Sequence, residues 1–158
     1  MNTRFHSVVF TMGVFLATTA MMMAPSANAA DQFNLTGLWK TFDDDSGKEK
    51  SIVSIIENDG VTTGRIERLL DPDALLDARC RLCRDDKKDQ PLLGMTIIQN
   101  IKRLYGENAV WIGSILDPET GTVYQARFRL RSGGKKLVAT GYIGLSLLGR
   151  DQIWVRVE

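Results

Sequence analysis

Two cysteines stand three residues apart in the stretch "ARCRLCRDDKKDQPLLGM", residues 78–95. Arginines flank them on both sides: Arg79, Arg81 and Arg84. Cys80 and Cys83 in this C-x-x-C spacing are compatible with three chemistries. One is a dithiol redox centre, in which the neighbouring positive charges favour the thiolate and ease exchange. Another is half of a metal site, but two more soft ligands are missing and only Asp85, Asp86 and Asp89 lie near. The third is a disulfide that clips a loop. Redox centres of the thioredoxin kind sit at a helix start after a strand, and no such pattern flanks this pair. In an oxidising compartment two thiols this close pair with each other. The reading is therefore a structural disulfide. Its ring is small, so loop-closure arithmetic gives it only about 2 kcal/mol.

Other candidates for chemistry are few. The single histidine is His6, near the start of the chain. Nucleophilic catalysis of the Ser-His-Asp or Cys-His kind, and zinc sites containing histidine, lack their key residue in the folded part. Ser146 lies in "GLSLLG", which is not the G-x-S-x-G of a strand-turn-helix nucleophile, and it reads as a linker residue. "DDDSG", Asp43 to Gly47, invites a calcium reading. Setting Gly47 at position six of an EF-hand loop puts Phe42 at position one and Val53 at position twelve, so the template fails. A solvated hairpin turn accounts for it. No metal and no cofactor are expected.

The compartment follows from the first thirty residues. Arg4 is the one basic residue ahead of an apolar run, "SVVFTMGVFLATTAMMM", and "APSANAA" then supplies a small-x-small cleavage site at Ala27-Asn28-Ala29. This is the pattern of a secretory signal peptide rather than of an anchor. Residues 1–29 are therefore expected to be removed, leaving 30–158 as a single domain in the periplasm or outside the cell. Of 20 basic residues Arg4 falls in the leader, so 19 remain against 19 acidic ones. Zero net charge speaks against a broad nucleic-acid surface. No second long apolar run is present, so the processed chain is not expected to span a membrane.

Residues 30–158 read as strands separated by turns. Expected strands are Gly37 to Phe42, Ser51 to Glu57, Val61 to Leu69, Met95 to Lys102, Ala109 to Leu116, Thr122 to Arg131, Lys136 to Ile143 and Asp151 to Val157. β-branched residues fill them, and Asn58-Asp59-Gly60 and Asp117-Pro118-Glu119-Thr120-Gly121 are turn sequences. "TVYQARFRLR" alternates: Tyr124, Ala126, Phe128 and Leu130 share one face, and Gln125, Arg127, Arg129 and Arg131 the other. One face is buried and one wet, as in an antiparallel sheet. The arginine stripe reads as a solvated outer face. Eight hairpin-linked strands leave two exposed edges unless the sheet closes. The expected fold is all-β, an eight-stranded antiparallel up-and-down barrel of the lipocalin kind. A two-sheet sandwich needs longer crossovers than most of these connections provide. The exception is Leu70 to Pro91, a connection of roughly twenty residues, long enough to be functional or to carry structure. Asp71-Pro72 looks like a helix start, so a short helix is expected in this loop. The loop is expected to pack near one end of the barrel.

Gly37-x-Trp39 on the first strand resembles the opening motif of lipocalins, in which the tryptophan closes one barrel end and an arginine from the last strand lies across it. Arg156 in "WVRVE" is the candidate partner and Arg150 the alternative. The combination of "GLWKTFDDDSGKEKSIVSI", the C-x-x-C loop, "QPLLGM", "SILDPETGTVY" and "GYIGLSLLGRDQIWVRV" resembles one bacterial family, domain of unknown function 2147. The resemblance spans nearly all of residues 35–157 and implies an exported, lipocalin-like barrel. It implies little chemistry.

The leading functional expectation is an exported binding protein, not an enzyme, that holds a small apolar or amphipathic ligand in the barrel or at its mouth. Expected lining residues are Trp39, Ile97, Trp111, Ile115, Tyr124, Phe128 and Ile143. A thiol-redox or envelope-stress role for Cys80 and Cys83, and a structural envelope partner with a filled barrel, are the rivals. Sequence parity assigns no side to Trp154, because Ile153 and Val155 beside it are equally apolar.

Overall fold

The computed structural model describes residues 34–70, 77–104, 109–144 and 149–157. The leader expected at 1–29, the helix start at Asp71-Pro72 and Ser146 lie outside them. Eight strands follow in order: β1 Gly37–Phe42, β2 Glu49–Asn58, β3 Val61–Leu69, β4 Thr96–Arg103, β5 Val110–Asp117, β6 Thr122–Arg131, β7 Lys136–Tyr142 and β8 Arg150–Arg156. Each pairs antiparallel with the next, and β1 pairs with β8, so the sheet closes into a barrel. The sandwich alternative is thereby excluded. Among the described residues of the long β3–β4 connection a 3-10 turn, Asp85–Lys87, takes shape.

Register sets which side chains fill the interior. Trp39 pairs with Val53, and Val53 with Ile66. Ile55 faces Gly64, Gly64 faces Ile98, Ile98 faces Ile115, and Ile115 faces Tyr124. Trp111 pairs with Phe128, Phe128 with Ala139, and Leu130 with Leu137, which faces Trp154. Side chains on paired residues share a sheet face, so all of these point inward. Trp39, Val53, Phe128 and Leu137 are fully buried. Trp154 belongs to this set at 2% exposure, which settles the side that parity left open. Arg127, Arg129 and Arg131 point outward. An apolar interior under a charged exterior is the reverse of a barrel whose outside meets lipid. Among the described residues no helix is long and apolar enough to cross a membrane.

Inward glycines make room for neighbouring side chains. A Cβ at Gly64 would stand 2.8 Å from Ile98 Cδ1, and one at Gly113 2.7 Å from Ile101 Cδ1. Ile101 gains its inward place from a bulge, where the β4–β5 register shifts between Gln99 and Lys102 and Asn100 takes a φ of 57°. One extra residue on one strand bends the ladder and re-aims the side chains after it.

The seam between β1 and β8 is short. Trp39 pairs with Arg156 and Lys40 with Val155, and Val157 N–H donates to the Leu38 carbonyl at 2.8 Å. A side chain reinforces it. The Arg156 guanidinium lies over the Trp39 ring, 4.2 Å from its centroid. Its Nε donates to the Gly134 carbonyl at 2.8 Å, Nη1 to Thr36 at 2.8 Å and Nη2 to Asn34 at 2.7 Å. Trp39 Nε1–H donates to the Leu35 carbonyl at 2.9 Å, so the buried indole leaves no polar atom unpaired. Gly37 is required twice over. Its φ is 129°, and a Cβ there would meet Arg156 Nη1 at 2.6 Å. At the same end, Arg103 stands 5.7 Å from the Trp111 ring centroid. Two tryptophans under two arginines therefore seal this closed end. Arg150, the alternative partner for Trp39, sits at the opposite end.

Arg156→Ala removes three charge-assisted bonds and a cation–π contact and is expected to cost about 2–4 kcal/mol in chemical denaturation. Arg156→Lys is expected to recover little, because an ammonium cannot reach three divergent carbonyls while stacking on the ring.

Candidate functional site

The β1–β2, β3–β4, β5–β6 and β7–β8 connections all emerge at the end opposite the Trp39–Arg156 pair, which makes that end the mouth. Residues 78–92 fold there into a compact hairpin. Arg79 and Pro91 form a bridge, Cys80 N–H donates to the Gln90 carbonyl at 2.9 Å, and Leu92 N–H donates to Ala78 at 2.8 Å. Cys80 and Cys83 are bonded to each other, with Cα atoms 5.3 Å apart. Their exposures are 0% and 4%, and both join the core cluster that includes Met95, Ile98 and Leu116. The clip therefore faces inward, while Arg81, Leu82 and Arg84 remain exposed.

This hairpin is pressed onto the β5–β6 turn. Cys80 Sγ lies 3.0 Å from the Pro118 carbonyl oxygen, a contact and not a hydrogen bond, since a bonded sulfur carries no proton. Gly121 has a φ of 68°, and a Cβ on it would collide with the Leu82 carbonyl. The same turn reaches back to β2, where Lys50 Nζ meets Glu119 Oε1 at 2.7 Å. In the sheet, β3 and β4 separate those two rim segments. Loop, turn and ion pair together cover one side of the mouth.

The other side is polar. Trp154 Nε1–H donates to Gln152 Oε1 at 3.2 Å, and Gln152 Nε2 donates to Asp44 Oδ2 at 2.7 Å. Arg150 Nη2 meets the same oxygen at 2.7 Å. Asp44 thus ties the β1–β2 turn to the start of β8, beyond the point where the backbone seam pairs. Deeper in, the Thr41 and Ser51 hydroxyls are 2.8 Å apart and almost fully buried. Asp43 accepts the Ser46 O–H at 2.7 Å and the Ser46 N–H at 2.8 Å. Those bonds, with the Lys50 charge nearby, hold its carboxyl below the ordinary value of 3.8. The carboxylates of Asp43 and Asp44 are thus engaged in building the turn and rim.

The expected lining residues divide into two groups. Trp39, Trp111 and Phe128 are close-packed core at 0%, 7% and 0% exposure. Ile115 and Tyr124 are half-buried and lie toward the mouth. The Tyr124 ring lies over Gly141, with Cγ 3.5 Å from the place a Cβ would take. Ile97 and Ile143 differ in exposure. Ile97 is buried in the core cluster beside Ile98, where the β3–β4 register shifts between Gly64 and Arg65, and Ile98 pairs with Ile115. Ile143 falls one residue beyond the end of β7 and is 60% exposed. Sequence reading missed Gln152, Asp44 and the Thr41–Ser51 pair. The polar positions among apolar ones on β1, β2 and β8 were the available signal. An open depression of about 650 Å³ beside Asn34, Thr36 and Leu38 lies on the outer wall, away from the mouth.

Interior, closed end and loop-covered mouth together define a lipocalin-like barrel. A solved structure described as protein HP1028 from the human pathogen Helicobacter pylori, belonging to the lipocalin family, superposes with a TM-score of 0.61. It is 18% identical, over 79% of this chain and 84% of that one, so the likeness is one of fold. The family described as an uncharacterized protein conserved in bacteria, DUF2147, matches residues 37–156, and the chain belongs to it. No curated protein matches.

Replacing Cys80 and Cys83 with alanine is expected to cost about 2 kcal/mol in denaturant titration while the barrel's circular dichroism persists. Because both sulfurs are shielded, native protein is expected to resist dithiothreitol, and unfolded protein to be reduced at once. Fast reduction of the native state would oppose the structural reading.

Proposed function

We propose that this chain is an exported, non-enzymatic binding protein that holds a small apolar or amphipathic molecule at the mouth of its barrel. The observation that carries the reading is the asymmetry of the interior. One end is sealed by Trp39 and Arg156, and the other collects half-buried apolar surface on Ile115 and Tyr124 beside a polar rim of Gln152, Asp44 and Arg150. A molecule with an apolar body and one polar end fits such a gradient. Its affinity would come from apolar burial at about 25 cal/mol per Å², with the rim setting orientation. The lipocalin-like fold supports this reading, and so does the sequence of residues 1–29, read as a signal peptide directing export.

A second reading is a structural partner with a filled barrel. It is favoured by the way Ile98, Ile101 and Tyr124 occupy the space above Gly64, Gly113 and Gly141. The thiol-redox reading is weakened by the burial of both sulfurs, since exchange requires access to one of them.

Titration with an environment-sensitive apolar dye separates the first two. The carrier reading expects saturable fluorescence enhancement. It also expects Ile115→Arg to weaken binding roughly tenfold or more, since at least about 1.5 kcal/mol of apolar burial is lost. No saturable binding by a folded protein would favour the filled barrel.

A further inference from the structure

The charges of this chain nearly balance in number, 20 basic against 19 acidic, but not in space. Between residues 96 and 142 the described carboxylates are Asp117 and Glu119, both at the mouth end. The closed-end half of the β4–β7 wall carries Lys102, Arg127, Arg129, Arg131, Lys135 and Lys136. Register places them together on the outer surface. Lys102 pairs with Ile112 and Ile112 with Arg127, so both cations lie in one row across three strands. Arg127, Arg129 and Arg131 follow one another at two-residue spacing on β6, about 7 Å apart. Arg131 stands directly opposite Lys136.

Like charges directly across a ladder destabilise the pair. On the opposite wall the signs mix, as Lys40 with Glu49 at 2.6 Å and Arg65 with Glu67 at 3.3 Å show. Among the described residues no carboxylate lies within ion-pair distance of the six cations. The wall also exposes aliphatic surface where it meets β8: Val138 faces Ile153, 54% exposed, and Lys136 faces Val155, 36% exposed.

We infer that this wall is a docking face for an anionic phospholipid surface. Cations spread over a gently curved sheet match a layer of phosphate headgroups, and the aliphatic side chains at the margin suit the interface beneath them. Single-strand nucleic acid readers stack bases on exposed aromatic residues. None of the exposed large hydrophobics is aromatic among the described residues, so a lipid surface is the better match. The inference does not depend on ligand carriage, because the wall lies on the barrel's outside and away from the mouth.

Sedimentation with vesicles tests it, using the whole protein. Vesicles containing phosphatidylglycerol are expected to retain it, and phosphatidylcholine vesicles to report any binding independent of charge. Each arginine-to-glutamine change at Arg127, Arg129 or Arg131 is expected to weaken partitioning roughly fivefold, the weight of one basic residue near an anionic surface. Binding should also fall as salt shortens the Debye length to about 8 Å. Arg65→Gln with Arg68→Gln, on β3, is the control and is expected to change partitioning little. These five side chains lie outside the core, so the variants are expected to stay folded. Equal retention on both vesicle types, an undiminished triple variant or an equal loss in the control would overturn the inference. So would retention on duplex DNA without vesicle binding, which would point to nucleic acid instead.

Discussion

The Arg156 guanidinium, held between the Trp39 ring and the backbone around Gly37, is the contact on which the barrel's form depends. Backbone pairing between β1 and β8 covers two residue pairs, while β5 is paired with β6 along its full length. A closing seam that short needs help from side chains. Arg156 supplies it by joining β8 to the segment before β1 and to the β6–β7 turn at once, through carbonyls of Asn34, Thr36 and Gly134. Its aliphatic stem and planar head also cover an indole that would otherwise meet water. Sealing this end decides the polarity of the molecule. Anything that enters the interior must do so at the far end.

Polar chemistry is sorted accordingly. At the mouth, Asp44, Arg150 and Gln152 carry the seam onward where backbone pairing has stopped, and the indole of Trp154 is their innermost member. On the opposite side of the mouth, a disulfide worth little as a loop constraint sets the path of a hairpin that makes few bonds to the sheet. Its position is fixed by a missing side chain at Gly121 and by an inward-facing pair of sulfurs. The bonded pair packs here within the core cluster. What distinguishes a packing role from a redox one is accessibility of the sulfur, and sequence spacing carries no information about that.

Much of the architecture was legible in the sequence. β1, β3 and β6 run between the residues that the turn signals and alternation indicate, and Gly37-x-Trp39 identified the closed end. Legibility failed where alternation breaks. Ile97 and Ile98 are adjacent and both join the buried core, at the point where the β3–β4 register shifts between Gly64 and Arg65. Bulges of this kind depend on how two strands meet, so neither strand's own sequence displays them. Ile143 continues the inward parity of β7, but the strand ends one residue earlier. The choice between Arg150 and Arg156 required knowing which end each reaches. The basic wall was hidden most completely, because a net charge of only +1 averages it with the acidic turns at the other end. The arginine stripe on β6 was visible, while its neighbours Lys102 and Lys136 join it only through register.

The claim that the barrel carries a molecule at its mouth is tested most directly by native mass spectrometry of the protein purified from its own host without added ligand. A folded population heavier than the covalent chain, by a small molecule that is lost on denaturation, is the result this account predicts. A single mass, identical in the native and denatured states across preparations, would contradict it and leave a barrel whose interior is filled by its own side chains.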